Sequence, residues 1–112
     1  MNIELDSIPN DETGQALKNI AQDGSSLSKP MEIDFFVAVP SKSAGNKIAL
    51  KVQELGYKIS VEQDGETGDW TCYCAKTLIP KYKEVVRIED ELDSIAKEYN
   101  GYADGFGSYG NA

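Results

Sequence analysis

The chain has no histidine, only two cysteines and one tryptophan, and no long apolar run. Without histidine, the commonest general base and metal ligand is missing. No serine or cysteine stands beside an evident base, and no pair of carboxylates occupies a recognisable catalytic frame, so no catalytic residue is expected and the chain reads as a non-enzyme. Cys72 and Cys74 lie two apart in a strand-like stretch, where their side chains share a face but are poorly placed for a mutual bridge. No imidazole or third thiol exists to complete a four-ligand site, so both are expected to be reduced, buried and apolar in behaviour, with no metal and no cofactor. No segment approaches the roughly 20 apolar residues of a membrane span, and the first residues lack the basic-then-apolar pattern of a signal peptide. A cytoplasmic location without membrane contact is expected.

Basic residues are also scarce. Eleven Lys and Arg face nineteen Asp and Glu, a net charge of −8, with the acid spread on both sides of Pro30. Nucleic-acid affinity comes mostly from basic side chains that displace counterions, and no Lys/Arg cluster is present. Direct RNA or DNA binding is therefore disfavoured, whereas the same field steers a basic protein partner. The charge equally serves solubility. What is present is ordinary for a globular chain of 112 residues: 40% hydrophobic and 27% charged, enough for a single core without disulfides or metals.

Residues 1–9 lack periodicity and are expected to be flexible. From Asn10 to Gln22 the pattern is helical, with Asn10 or Asp11 as cap, Thr13, Leu17, Ile20 and Ala21 on one stripe and Gly24 as stop; a serine-rich linker runs on to Pro30. Residues 31–112 then read as the main domain. Met31, Ile33, Phe35, Val37 and Val39 alternate with Glu32, Asp34, Phe36 and Ala38, which predicts a strand with one core face. Pro40 ends it, Ser41 or Ser43 can cap a helix carrying Ala44, Ile48, Val52 and Leu55, and Gly56 closes that helix. Tyr57–Glu62 and Trp70–Lys76 read as a hairpin around the turn residues Asp64–Gly68. Pro80 opens the longest helix, with Val85, Ile88, Leu92, Ile95 and Tyr99 in step, and a final strand lies between Tyr102 and Tyr109. The fold class is α+β, a ferredoxin-like βαββαβ two-layer sandwich with an additional N-terminal helix. Phe36 and Tyr73 fall on the sheet face away from the helices, which stays open unless the N-terminal helix covers it.

Few motifs carry chemistry. Gly105, Gly107 and Gly110 have the spacing of a dinucleotide loop but no helix follows them. Asp64, Glu66 and Asp69 lack the frame of a calcium loop and read as a solvated turn. Phe36 and Tyr73 occupy positions on which RNA-recognition domains stack bases, yet Glu32 and Asp34 beside them oppose phosphate. Asp104-Gly105 suits a tight turn, and Tyr99, Tyr102, Phe106 and Tyr109 gather aromatic area around it. Aromatics at a rigid turn suit anchoring to a partner or closing the sheet edge. Tyr102, Asp104, Gly105 and Phe106, with Phe36 and Tyr73 second, are the candidate partner-binding residues. No small-molecule substrate is expected.

Asp23-Gly24-Ser25 to Lys29-Pro30, Ile33-Asp34-Phe35-Phe36 with Pro40-Ser41, Leu55-Gly56-Tyr57, Trp70 and the ending Gly101–Gly107 resemble, in order and spacing, the regulator of ribonuclease activity B family of ribonuclease E inhibitors. The resemblance covers about residues 15–109. The family ending reads Gly-x-Tyr-Asp-Gly-Trp-Gly; Gly101, Asp104, Gly105 and Gly107 match it, while Ala103 and Phe106 stand at the tyrosine and tryptophan positions. The resemblance implies a ferredoxin-like domain that binds an endoribonuclease or a degradation scaffold away from its catalytic centre and modulates RNA turnover. An RNA-binding module using the open sheet face, or an immunity-type protein neutralising a basic toxin, are the alternatives.

Overall fold

A computed structural model describes residues 8–111. The flexible segment expected over residues 1–9 lies outside these but for Ile8 and Pro9. Helix α1 spans Glu12–Gln22 and is capped by Asp11, whose carboxylate accepts from the Gly14 amide. Strand β1 is Met31–Val39, helix α2 Lys42–Glu54, strands β2 and β3 Lys58–Gln63 and Trp70–Leu78, helix α3 Tyr82–Lys97, and strand β4 Tyr102–Gly107. The sheet order is β2-β3-β1-β4 and every pairing is antiparallel. This is the α+β two-layer arrangement expected of a ferredoxin-like fold with an added N-terminal helix.

The alternation of β1 sets the layers. Met31, Ile33, Phe35, Val37 and Val39 are all buried, and Cys72 and Cys74 join them from β3. Helix α2 adds Ile48 and Val52, and α3 adds Val85, Ile88 and Leu92, each essentially inaccessible. Full burial of each such aliphatic side chain contributes roughly 1.5–3 kcal/mol. Gly45 lets α2 settle on the sheet: a Cβ there would lie 2.8 Å from Val61 Cγ1. The two thiols are free, with Sγ atoms 3.9 Å apart inside this core. The contact with Cys72, and then burial, push the Cys74 thiol up.

Helix α1 neither covers the opposite face of the sheet nor stands free. It joins the helical layer beside α3 and the edge strand β4, with Leu17 fully buried in the common core. Thr13 donates to Glu89 at 2.7 Å, and the Tyr82 hydroxyl donates to the Asp11 carboxylate.

Two details differ from the periodicity. Leu55 follows the last turn of α2 and is 44% exposed. Pro80 is buried just ahead of α3, which starts only at Tyr82 because Pro80 and Lys81 form a separate tight turn through the Lys81 amide and the Ile79 carbonyl. The turn after α3 closes at Asn100-Gly101, with Asn100 in the left-handed conformation (φ 63°). Gly101 is required for a different reason: its Cβ would come within 2.6 Å of the Ala38 carbonyl oxygen.

Candidate protein interface

All three helices lie on the side of the sheet that carries the buried residues, which leaves the other side uncovered among the described residues. Register places its side chains in rungs. The central rung runs Ser60, Tyr73, Phe36, with Asp104 and Gly105 at the β4 end. On one side lies the rung Glu62, Thr71, Ala38, Tyr102, and on the other Lys58, Ala75, Asp34, Gly107.

Phe36 and Tyr73 form an edge-to-face pair with ring centroids 5.6 Å apart, each ring half-buried. Such pairs add roughly 0.5–1.5 kcal/mol beyond area burial. Their neighbours are small: Ala38, Thr71, Ala75 and Ser60. Gly107 gives Phe36 its seat, since a Cβ there would lie 3.3 Å from the ring Cζ. Two rings therefore rise from a floor of short side chains.

Asp104-Gly105 does not form the tight turn expected from its chemistry. It lies inside β4, where Phe35 pairs with Phe106 but Val37 pairs with Ala103, so two residues oppose the single Phe36. This is a β-bulge on an edge strand, with Gly105 at φ 95° supplying the left-handed backbone. The bulge has a consequence for side-chain direction. Tyr102 and Asp104 point to the open face, while Phe106 is turned to the helix side, its ring centroid 5.9 Å from that of Phe35. Of the six candidate residues, Phe36, Tyr73, Tyr102 and Asp104 share one surface, Gly105 forms the bulge, and Phe106 packs against the core.

Nearby contacts hold the edge in place. The Ala103 amide donates to Asp93 Oδ1 at 3.0 Å, and Lys97 pairs with the same carboxylate at 2.8 Å. Lys97 first and the Ala103 amide second hold the Asp93 carboxyl below its ordinary range. This bond occupies an amide on the strand edge, a protection against edge pairing. The segment after β4 is pinned as well: Ser108 donates to the Glu32 carbonyl at 2.7 Å, and the Asn111 side chain donates to the carbonyls of Ser26, Lys29 and Pro30. The glycines at 105, 107 and 110 thus serve a bulge, a ring seat and a terminal turn.

The open face is acidic. Glu32, Asp34, Glu62 and Asp104 stand on it against one lysine, Lys58, which lies 3.7 Å from Glu32 in a well-exposed pair of little energetic weight. Beyond the rung of Ala38 and Thr71, a cleft of ≈ 450 Å³ opens between β4 and the β2–β3 turn, and Asp64 and Asp69 line its far wall. Asp64 accepts from the Glu66 and Thr67 amides at 2.8 and 2.9 Å. The Thr67 and Glu66 amides hold its carboxyl below the ordinary range, so it stays charged. The expectation of a solvated turn for these two aspartates did not include their place on the wall of this cleft. The signal available was their placement at the hairpin tip, on the same end of the sheet as Tyr102.

No group of three or more metal-ligating side chains occurs among the described residues, and none of their helices is long and apolar enough to cross a membrane. A family model described as regulator of ribonuclease activity B matches residues 10–108. The chain belongs to that family. No curated protein gives a match. The regulator of ribonuclease activity B match includes α1 and all four strands, so it takes in the whole of the open face, the bulge and the cleft.

Proposed function

We propose that this member of the family regulates RNA turnover by binding a protein, an endoribonuclease of the ribonuclease E type or the scaffold that organises degradation, without catalysing a step itself. The observation that carries this is the uncovered sheet face, on which Phe36, Tyr73 and Tyr102 stand among four carboxylates. The half-buried rings of Phe36 and Tyr73 and the exposed ring of Tyr102, over small residues, supply further area to bury on association, and the surrounding acids steer and orient a basic partner. Tyr102 and Asp104 are the peripheral contacts and Phe36 with Tyr73 the central ones; Gly105 and Phe106 act by shaping β4. The site of action is the cytoplasm.

An RNA-stacking module would use the same ring pair. The four carboxylates against one lysine oppose it, because base stacking on such platforms is accompanied by a positive groove that tracks the phosphates.

The test is an RNA cleavage assay with a purified ribonuclease E-type enzyme. The wild-type protein slows cleavage while leaving RNA intact on its own and giving no mobility shift with single-stranded RNA. Phe36→Ala/Tyr102→Ala slows cleavage far less. Equal inhibition by the double variant overturns the assignment of the face, and degradation or capture of RNA by the protein alone overturns the regulator reading.

A further inference from the structure

We infer that the transverse cleft on the open face receives an arginine side chain from an extended segment of the protein partner. This rests on the regulator reading above and adds the chemistry of the contact. Ala38 and Thr71, two short side chains on adjacent strands, line the cleft next to the raised pair Phe36–Tyr73, together with Val39, Pro40, Trp70 and Asn100 at that end of the sheet. The two ends of the cleft are chemically alike. Tyr102 and Asp104 stand at the β4 end, and Asp64 and Asp69 at the hairpin end. No lysine or arginine lines it. Tyr102 is 54% exposed, which leaves area of its ring for a ligand to cover.

Charge complementarity selects the occupant. A cleft with carboxylates at both ends and no cation among its lining residues favours a cationic group and disfavours phosphate or an acidic peptide. Its volume of ≈ 450 Å³ suits one long side chain with its flanking backbone, not a folded element. Arginine fits this setting better than lysine, because its planar guanidinium stacks on an aromatic face while its donors engage carboxylates in pairs. Lysine offers a compact, strongly hydrated charge that gains less from the Tyr102 ring. The place of the cleft also accounts for the position of the segment: an extended chain crossing beside Phe36 and Tyr73 covers both rings while one side chain enters the cleft.

The experiment has two arms. In the first, the full chain labelled with ¹⁵N is titrated with the blocked tripeptide Gly-Arg-Gly and with its lysine and citrulline counterparts. The arginine peptide is expected to shift the amides of Thr71, Tyr102 and Asp104, with affinity about tenfold above the lysine peptide and no response to citrulline. Ala38→Leu, which fills the cleft from an uncovered sheet position, and Asp69→Asn/Asp104→Asn each abolish the shifts. Equal response to arginine and lysine, shifts centred elsewhere, or no shifts overturn the inference. In the second arm the same variants are tested for binding to the ribonuclease, beside Phe36→Ala. If Ala38→Leu binds as wild type while Phe36→Ala does not, the arginine cleft is wrong and the regulator face stands. If all variants bind as wild type, the face itself is wrong.

Discussion

Phe106 packs against Phe35 on the helix side of the sheet, with ring centroids 5.9 Å apart, although strict alternation from Tyr102 would turn it to the opposite side. One extra residue at Asp104-Gly105 makes the difference, because the side-chain period of a strand is two. The candidate surface thus keeps Tyr102 and Asp104 and gives up Phe106 to the core.

Deleting Gly105 is expected to leave Phe106 against Phe35, since removal of the extra residue restores a regular pairing with β1 on both sides of Phe36. Gly105→Val keeps the residue count but puts a β-branched side chain at φ 95°. A Cβ at 105 meets nothing within 4 Å, so the cost is backbone strain alone, about 1–2 kcal/mol. Urea midpoints of the two variants check this, and a deletion less stable than the valine variant would contradict the bulge.

Gly107→Ala crowds the Phe36 ring from beneath. The ring has an open side to move into, so the stability change is expected to stay within about 0.5 kcal/mol while the Phe36 and Tyr73 ring resonances shift. Affinity for the proposed ribonuclease partner is expected to fall with the ring displacement. Unchanged ring shifts would show that Phe36 does not rest there.

Glu89 is half-buried beside α1, and burial, with Asp90, Asp11 and Glu12 nearby, raises its pKa above the ordinary 4.5 despite the bond from Thr13. A carboxyl whose pKa is raised in the folded state weakens the fold when ionised, and that penalty disappears as pH falls through the raised value. Glu89→Gln keeps an acceptor for Thr13 and removes the ionisation. Its melting temperature is expected to exceed wild type at pH 7 and to converge with it below pH 4.5. The exposed carboxyl of Asp64 and the half-buried one of Asp93 act in the opposite sense, their pKa values being lowered, so their contributions are lost as pH falls.

Leu17→Ala tests whether α1 is integral to the fold. Leu17 is fully buried where α1 meets the common core, so its truncation is expected to cost about 2–5 kcal/mol in a single cooperative transition. A loss below 1 kcal/mol, or a separate early transition, would show α1 to be an accessory.

Much of the fold was legible because local and tertiary preferences agree. The alternation of β1 reappears as its burial pattern, Ser41 caps α2 through the Ala44 amide, and the hairpin turns where Asp64 accepts two amides. The site was legible in its parts only. Aspartate-glycine signals a left-handed backbone, which a tight turn and a bulge both require, so the local chemistry does not distinguish them. The side taken by Phe106 follows from that unreadable choice. The cleft needs β1, β3, β4 and the hairpin tip brought together, and no short-range pattern joins Ala38, Thr71, Tyr102 and Asp69. Leu55 shows the converse: its spacing fits the apolar stripe of α2, but it lies past the last helical turn and stays partly exposed.

The central claim is that the open, acidic, ring-bearing face of the sheet binds the ribonuclease. Isothermal titration of the purified endoribonuclease, with its scaffold region, into the wild type, Phe36→Ala/Tyr102→Ala and the helix-layer control Leu50→Ala tests it most directly; Leu50 is 65% exposed on α2. The account predicts affinity at least about tenfold weaker for the double variant and unchanged for the control. Wild-type affinity in the double variant, or its loss in Leu50→Ala alone, would contradict the account.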